Sequence, residues 1–190
     1  LNASEKKMGW CGSDTRSVFF NDMHIPKSAI LGNPSKGFKQ FLKTLTGGRI
    51  TIGALGLGTA QGAFARALAY SQEREAFGKS INKFQGVSFK LSDMATQIEA
   101  ARHLVYHAAW KKDHGLPVIR EAAMAKLFSS ETAMQVTIEA IQILGGYGYI
   151  KEYDVERFFR DAKILEIGEG TSEVQRMIIA KELIQSVQNI

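Results

Sequence analysis

Glu169 is the residue in this sequence best placed to do chemistry. It stands between Gly168 and Gly170 in EIGEGTSEVQR, residues 166–176, directly ahead of residues that start a helix. A glutamate in a glycine-rich turn is ordinarily a solvated turn residue. Glycines on both sides would also clear the approach of a substrate to a carboxylate that takes up a proton. Both readings stay open on the residues alone. His103 and His107, four apart, have metal-ligand spacing, but no HExxH arrangement and no third ligand accompany them, so no metal is expected. GALGLG, residues 53–58, lacks the Lys-Ser/Thr ending of a phosphate loop and lies inside a helical pattern.

Two further stretches break the helical period and carry ligand-contacting groups. REAFGKSINKFQ, residues 74–85, offers Arg74, the aromatic Phe77, a turn at Gly78 and the amide of Gln85. QILGGYGY, residues 142–149, runs from Gln142 to the paired glycines Gly145 and Gly146, whose backbone N–H groups are open to a ligand. Each alone reads as a helix connector. Composition and spacing do not say whether they meet Glu169 at one site.

The elements that must position these residues are mostly helical. Residues 1–36 mix β-branched and aromatic residues with turn formers, and Pro26 and Pro34 exclude a long helix; a strand is expected near residues 17–20. From Gly37, apolar residues recur at three- and four-residue spacing for nearly forty residues, interrupted by Gly47, Gly48, Gly53, Gly56, Gly58 and Gly62 and by no proline. So many glycines in a charged helix point to tight packing inside a soluble bundle. Helices are expected at about 84–113 (ending at Gly115 and Pro117), 119–144, 155–165 with Asp154 as N-cap, and from Gly170 to about 187, where Ser172 and Gln175 have capping-box spacing. The pattern is an antiparallel, up-and-down four-helix bundle, mainly α, with a short N-terminal β segment.

Composition fits that fold. The chain has 190 residues, 45% hydrophobic and 23% charged, enough to bury a core. No apolar run approaches the roughly 20 residues of a membrane span, and the single Cys11 excludes an internal disulfide framework. The net charge of +5 is dispersed, as in KKDHG and YDVERFFRDAK, which argues against a nucleic-acid surface but suits an anionic small ligand.

Taken in order, these residues resemble the C-terminal half of an acyl-CoA dehydrogenase. RxxFGKxxxxxQ is carried by Arg74, Phe77, Gly78, Lys79 and Gln85, AIQILGGxGY by residues 140–149, RDAKI by residues 160–164, and EGTSExQR by residues 169–176. The resemblance assigns residues 1–36 to the remainder of the family's middle β domain and residues 37–190 to its C-terminal helical bundle. It makes Glu169 the base that removes the alpha proton of an acyl-CoA thioester while the beta hydrogen leaves as hydride to FAD. Such a base works best in a dry site that brings its pKa toward neutrality. Arg49, with Gly170, falls on substrate-lining positions. Arg74, Phe77, Gln85, Gln142, Gly145 and Gly146 match residues that reach the FAD of a neighbouring subunit, and Thr171, Ser172 and Glu173 a flavin-contacting segment beside the base.

Some family members place the base one residue before this arginine; here that position is Gly48. GRITIGALGLGTAQ and LPVIREAAMAKL are most similar to the short-chain, butyryl-type branch. One departure is Gly168, where many members carry tyrosine, which loosens any inference about chain length. The resemblance implies a homotetramer or homodimer, electron-transferring flavoprotein as acceptor, and a bacterial cytoplasmic or mitochondrial matrix setting. The alternatives are an acyl-CoA oxidase-like flavoenzyme, or an assembly module inactive as an isolated piece of a longer protein.

Overall fold

The computed structural model describes residues 3–188. Helix α1 runs unbroken over Gly37–Glu73. A hairpin follows, β1 Glu75–Ala76 against β2 Lys79–Ser80. Phe77 and Gly78 both have positive φ, +52° and +80°, the geometry of a tight two-residue hairpin turn. Then come α2 Gln85–Asp113, α3 Ile119–Leu144, the single turn α4 Gly146–Tyr149, α5 Val155–Ala162 and α6 Ser172–Gln188.

Helix α3 is the central element, packed on α1, α2, α5 and α6. Small residues let it sit close to α1. A Cβ on Gly56 would stand 2.9 Å from the Ser129 carbonyl oxygen, and one on Gly53 would stand 3.3 Å from that of Ala125. Each glycine gives up on the order of 1 kcal/mol of helix propensity, and what it gains here is near-contact of two backbones. The core between the helices accordingly mixes alanines (Ala60, Ala63, Ala133, Ala140) with Met94 and Val136. The bundle and the third helix match the periodicity. Left-handed glycines close α2 and α3, at Gly115 (φ +67°) and Gly145 (φ +60°).

Four local expectations are corrected. No strand forms at residues 17–20, because the described residues offer that segment no partner for its backbone, and the small sheet is the hairpin after α1. Asp154 does stand at the N-cap of α5, but its carboxylate makes no cap bond; it faces Arg66 at 3.6 Å and Arg157 at 3.4 Å. Helix α5 ends at Ala162, and residues 163–166 tighten into a 3₁₀ turn. The capping box at Ser172 is also absent. Thr171 is the cap, its Oγ1 accepting from the Val174 N–H at 3.4 Å, while the Ser172 hydroxyl is buried without a partner and Gln175 reaches elsewhere.

Candidate active site

The turn that carries Glu169 is strained. Glu169 has φ +54° and Gly170 φ +97°, and a non-glycine residue held left-handed costs on the order of 1–3 kcal/mol unless its surroundings fix it. Two buried side chains do so. Lys126 Nζ donates to the Gly170 carbonyl at 2.8 Å, and Gln175 Nε2 donates to the same oxygen at 2.9 Å and to the Glu169 carbonyl at 3.3 Å. Both are fully buried. One helical turn beyond Lys126, the Ser130 hydroxyl is shared between the carbonyls of Lys126 (2.7 Å) and Leu165 (2.9 Å). Helix α3 therefore grips the loop before α6 at both ends.

With the turn so held, the Glu169 carboxylate crosses to α1. A Cβ on Gly48 would lie 1.8 Å from its Oε2, so the carboxylate fills the space left by the missing side chain. Arg49 is next along α1, 6% exposed, its Nη1 3.5 Å from Thr46 Oγ1 and its Nε buried without a partner. Burial lowers the Arg49 pKa, and the charge of Glu169 opposes that shift. A guanidinium stays protonated regardless, so a fixed cation stands beside the carboxylate. A groove of about 810 Å³ opens at the same place, lined by Thr46, Gly47 and Gly48 with the cationic Lys39, Lys43 and Lys112. Glu169 itself is solvent-exposed.

The remaining sequence-chosen residues are only partly brought together. Arg74, Gly145 and Gly146 line one cavity of about 620 Å³ with Tyr70 and Tyr147. Side chains added at Gly145 or Gly146 would meet nothing within 4 Å, so their backbone is bare. Gln142 lines a different cavity, beside Arg160 and Cys11. Phe77 projects from the hairpin, 96% exposed, edge-on to Phe84 with ring centroids 6.2 Å apart. Gln85 opens α2. Thr171, Ser172 and Glu173 form the entrance to α6 beside Glu169, away from the Arg74 cavity. An arginine, aromatic faces and bare glycine backbone suit a ring-bearing group with an anionic diphosphate, and the orphaned Ser172 hydroxyl offers a polar contact near the carboxylate. The residues that line the Arg74 cavity thus fit such a cofactor.

No sequence motif singles out Lys126, and the S-x-x-Q spacing of Ser172 and Gln175 points to a cap, not to the Gly170 carbonyl. A signal for Lys126 existed: it lies in an alanine-rich helix four residues after Ala122 and four before Ser130, on the phase of the buried face.

Comparisons with known proteins bear on the fold and the family. The family described as acyl-CoA dehydrogenase, C-terminal domain, matches residues 35–184. The probable acyl-CoA dehydrogenase YngJ of Bacillus subtilis is 55% identical over 179 residues, 94% of this chain and 47% of its own length. The structure of butyryl-CoA dehydrogenase from Megasphaera elsdenii superposes with a TM-score of 0.94 at 52% identity, over 96% of this chain and 48% of that one. A structure from work on the electron transferring flavoprotein of Acidaminococcus fermentans and flavin-based electron bifurcation matches equally well, TM-score 0.94 at 51% identity, with 96% and 48% covered. The chain spans about half the length of the curated relatives it matches.

Proposed function

The chain belongs to the acyl-CoA dehydrogenase family through its C-terminal domain, and on that premise we propose that it carries the base and part of the substrate and flavin sites of an enzyme that desaturates a short-chain acyl-CoA to the trans-2-enoyl-CoA. The observation that carries this reading is the Glu169 carboxylate seated over Gly48, beside buried Arg49 and at the head of a lysine-lined groove.

In this reading Glu169 removes the alpha proton of the thioester. The strained turn aims its carboxylate at α1, and the bare Gly48 leaves it room there. Arg49 holds the substrate in line with the carboxylate without taking the proton. Lys39, Lys43 and Lys112 suit the phosphates of the CoA carrier at the mouth of the groove. Glu169 is exposed on this chain, so the dry surroundings that make a carboxylate an effective base come from the bound ligands and the β domain packed over it. FAD, when bound, supplies the acceptor for the beta hydrogen. Thr171, Ser172 and Glu173 would hold the flavin beside Glu169; Arg74, Phe77, Gln85, Gln142, Gly145 and Gly146 would hold that of a neighbouring subunit.

The same reading assigns residues 1–36 to the middle β domain, where exposed Phe19 and Phe20 would find partners. It extends to a homotetramer or homodimer, to electron-transferring flavoprotein as acceptor, and to a bacterial cytoplasmic or mitochondrial matrix setting. Among the described residues no helix is long and apolar enough to cross a membrane.

The test is Glu169→Gln in the flavin-loaded protein. The amide is isosteric, so fold and flavin content should persist. Single-turnover bleaching of the flavin by butyryl-CoA should slow by roughly two to four orders of magnitude. Bleaching at the wild-type rate would place the base elsewhere. Arg49→Met should instead weaken substrate binding more than it slows bleaching at saturation.

A further inference from the structure

Lys126 is the largest fully buried side chain among the described residues, and a buried amine on an alanine-rich helix is costly to keep. Apolar residues of similar volume would pack at least as well there. Its position serves one visible purpose. The backbone of Lys126 is pressed close to α1, where a Cβ on Gly53 would come within 3.4 Å of its nitrogen. From that fixed point the side chain reaches across to the Gly170 carbonyl, next to Glu169. Glu169 returns to α1 at Gly48, five residues before Gly53. The links form a closed circuit: α1 to α3, α3 to the turn, and the turn back to α1.

We propose that Lys126 is a positioning residue for Glu169: with Gln175 it locks the peptide unit after Glu169, so that the left-handed turn holds its carboxylate over Gly48. This inference rests on Glu169 being the base. The lock does not depend on the charge of the amine, since lysine donates to a carbonyl whether protonated or neutral. Burial lowers the Lys126 pKa, and the carboxylates of Glu166, Glu131, Glu169 and Glu173 oppose the shift. Gln175 supplies the second donor from α6, so the turn is gripped from two helices. Losing one donor leaves the Gly170 carbonyl hydrogen-bonded but the peptide free to swing.

The test is Lys126→Met in the flavin-loaded protein, keeping the volume of the stem and removing the donor. Expected are an unchanged flavin content, a midpoint of thermal unfolding no lower than wild type, and a KM for butyryl-CoA within about threefold. The single-turnover rate should fall about 10- to 100-fold, as for a reacting group displaced by about an ångström. Amide exchange of the segment 165–175, measured without substrate, should speed up while that of α3 stays unchanged. A merely structural lysine would lower the unfolding midpoint and leave the rate per folded molecule intact; that result overturns the proposal.

Gln175→Met removes the opposing donor and should give the same split between rate and KM. If Lys126→Met fails to fold and Gln175→Met turns over at the wild-type rate, the proposal falls. In a Glu169→Gln background, Lys126→Met should slow bleaching no further. Should Glu169→Gln alone bleach normally, the assignment of the base fails. Should Glu169→Gln be slow while Lys126→Met bleaches normally, the positioning role fails and the base stands.

Discussion

The carboxylate of Glu169 occupies the volume that a side chain on Gly48 would need, with Oε2 1.8 Å from where that Cβ would stand. The obstructed atoms are the far end of a flexible side chain, so an intruding methyl group would displace the carboxylate and leave the helix intact. Gly48→Ala should therefore leave stability unchanged or raise it by up to about 1 kcal/mol, the difference in helix propensity. Turnover should drop at least tenfold, because the carboxylate is pushed off its seat. Unfolding midpoints and single-turnover rates of the same preparation check this, and a variant with normal turnover would detach Gly48 from the site.

The fold and the candidate site are legible in the sequence for separate reasons. The four long helices announce themselves through apolar spacing, and the left-handed glycines at 115 and 145 stop two of them. Gly168 and Gly170 mark Glu169, and the resemblance marks Gly48 as the alternative base position, but the two are 121 residues apart and no local pattern says that the carboxylate of one fills the space left by the other. Lys126 is easily missed because lysine on a helix is nearly always solvated; its phase against Ala122 and Ser130 is the one signal that it is buried. The spacing of Gln175 predicts a cap, but local capping chemistry and the bond to the Gly170 carbonyl use the same amide. Residues 17–20 have the residue types of a strand, yet a strand exists only with a neighbour to pair with.

Acid should weaken the junction between α2 and α3 in a defined window. Burial pushes the Glu121 carboxyl up, but Lys111 at 2.9 Å and Arg120 at 2.8 Å overcome this and hold it at about 2, against 4.5 for the free group. A carboxylate depressed in the folded state stabilises it above the unfolded pKa, and that contribution is lost as pH falls from about 4.5 toward 2. The loss is at most of order 3 kcal/mol. Denaturant unfolding from pH 6 to pH 2.5, with Glu121→Gln as control, should show a smaller decline for the variant. Parallel curves would mean the ion pair contributes nothing.

Self-association should run through α6. Val174, Met177, Ile184 and Val187 are exposed, at intervals of three, seven and three residues, which places them along one helix face. Such a stripe, on a helix that buries only Ser172 and Gln175 among its described residues, marks a contact surface. Sedimentation velocity should find a dimer or larger species, and Met177→Glu with Ile184→Glu should shift the protein to smaller ones. A wild-type protein that stays monomeric at high concentration would remove this surface from consideration.

Two glycines in α1 separate helix propensity from packing. At Gly58 an added methyl group would meet nothing within 4 Å, so Gly58→Ala should stabilise the protein by up to about 1 kcal/mol. At Gly56 the same methyl would stand 2.9 Å from the Ser129 carbonyl oxygen and 3.0 Å from its carbon, both backbone atoms that cannot swing aside. Overpacking of that kind costs about 1–3 kcal/mol, more than the propensity gained, so Gly56→Ala should be neutral or destabilised by up to about 2 kcal/mol. The consequence reaches the site as well. Relief of the clash moves α3 away from α1, and α3 carries Lys126 and Ser130, which grip the turn of Glu169. Gly56→Ala should thus lose turnover while Gly58→Ala keeps it, although neither residue lines the groove. Paired unfolding and single-turnover measurements decide the matter: equal stability of the two variants would refute the close α1–α3 contact as the reason for Gly56.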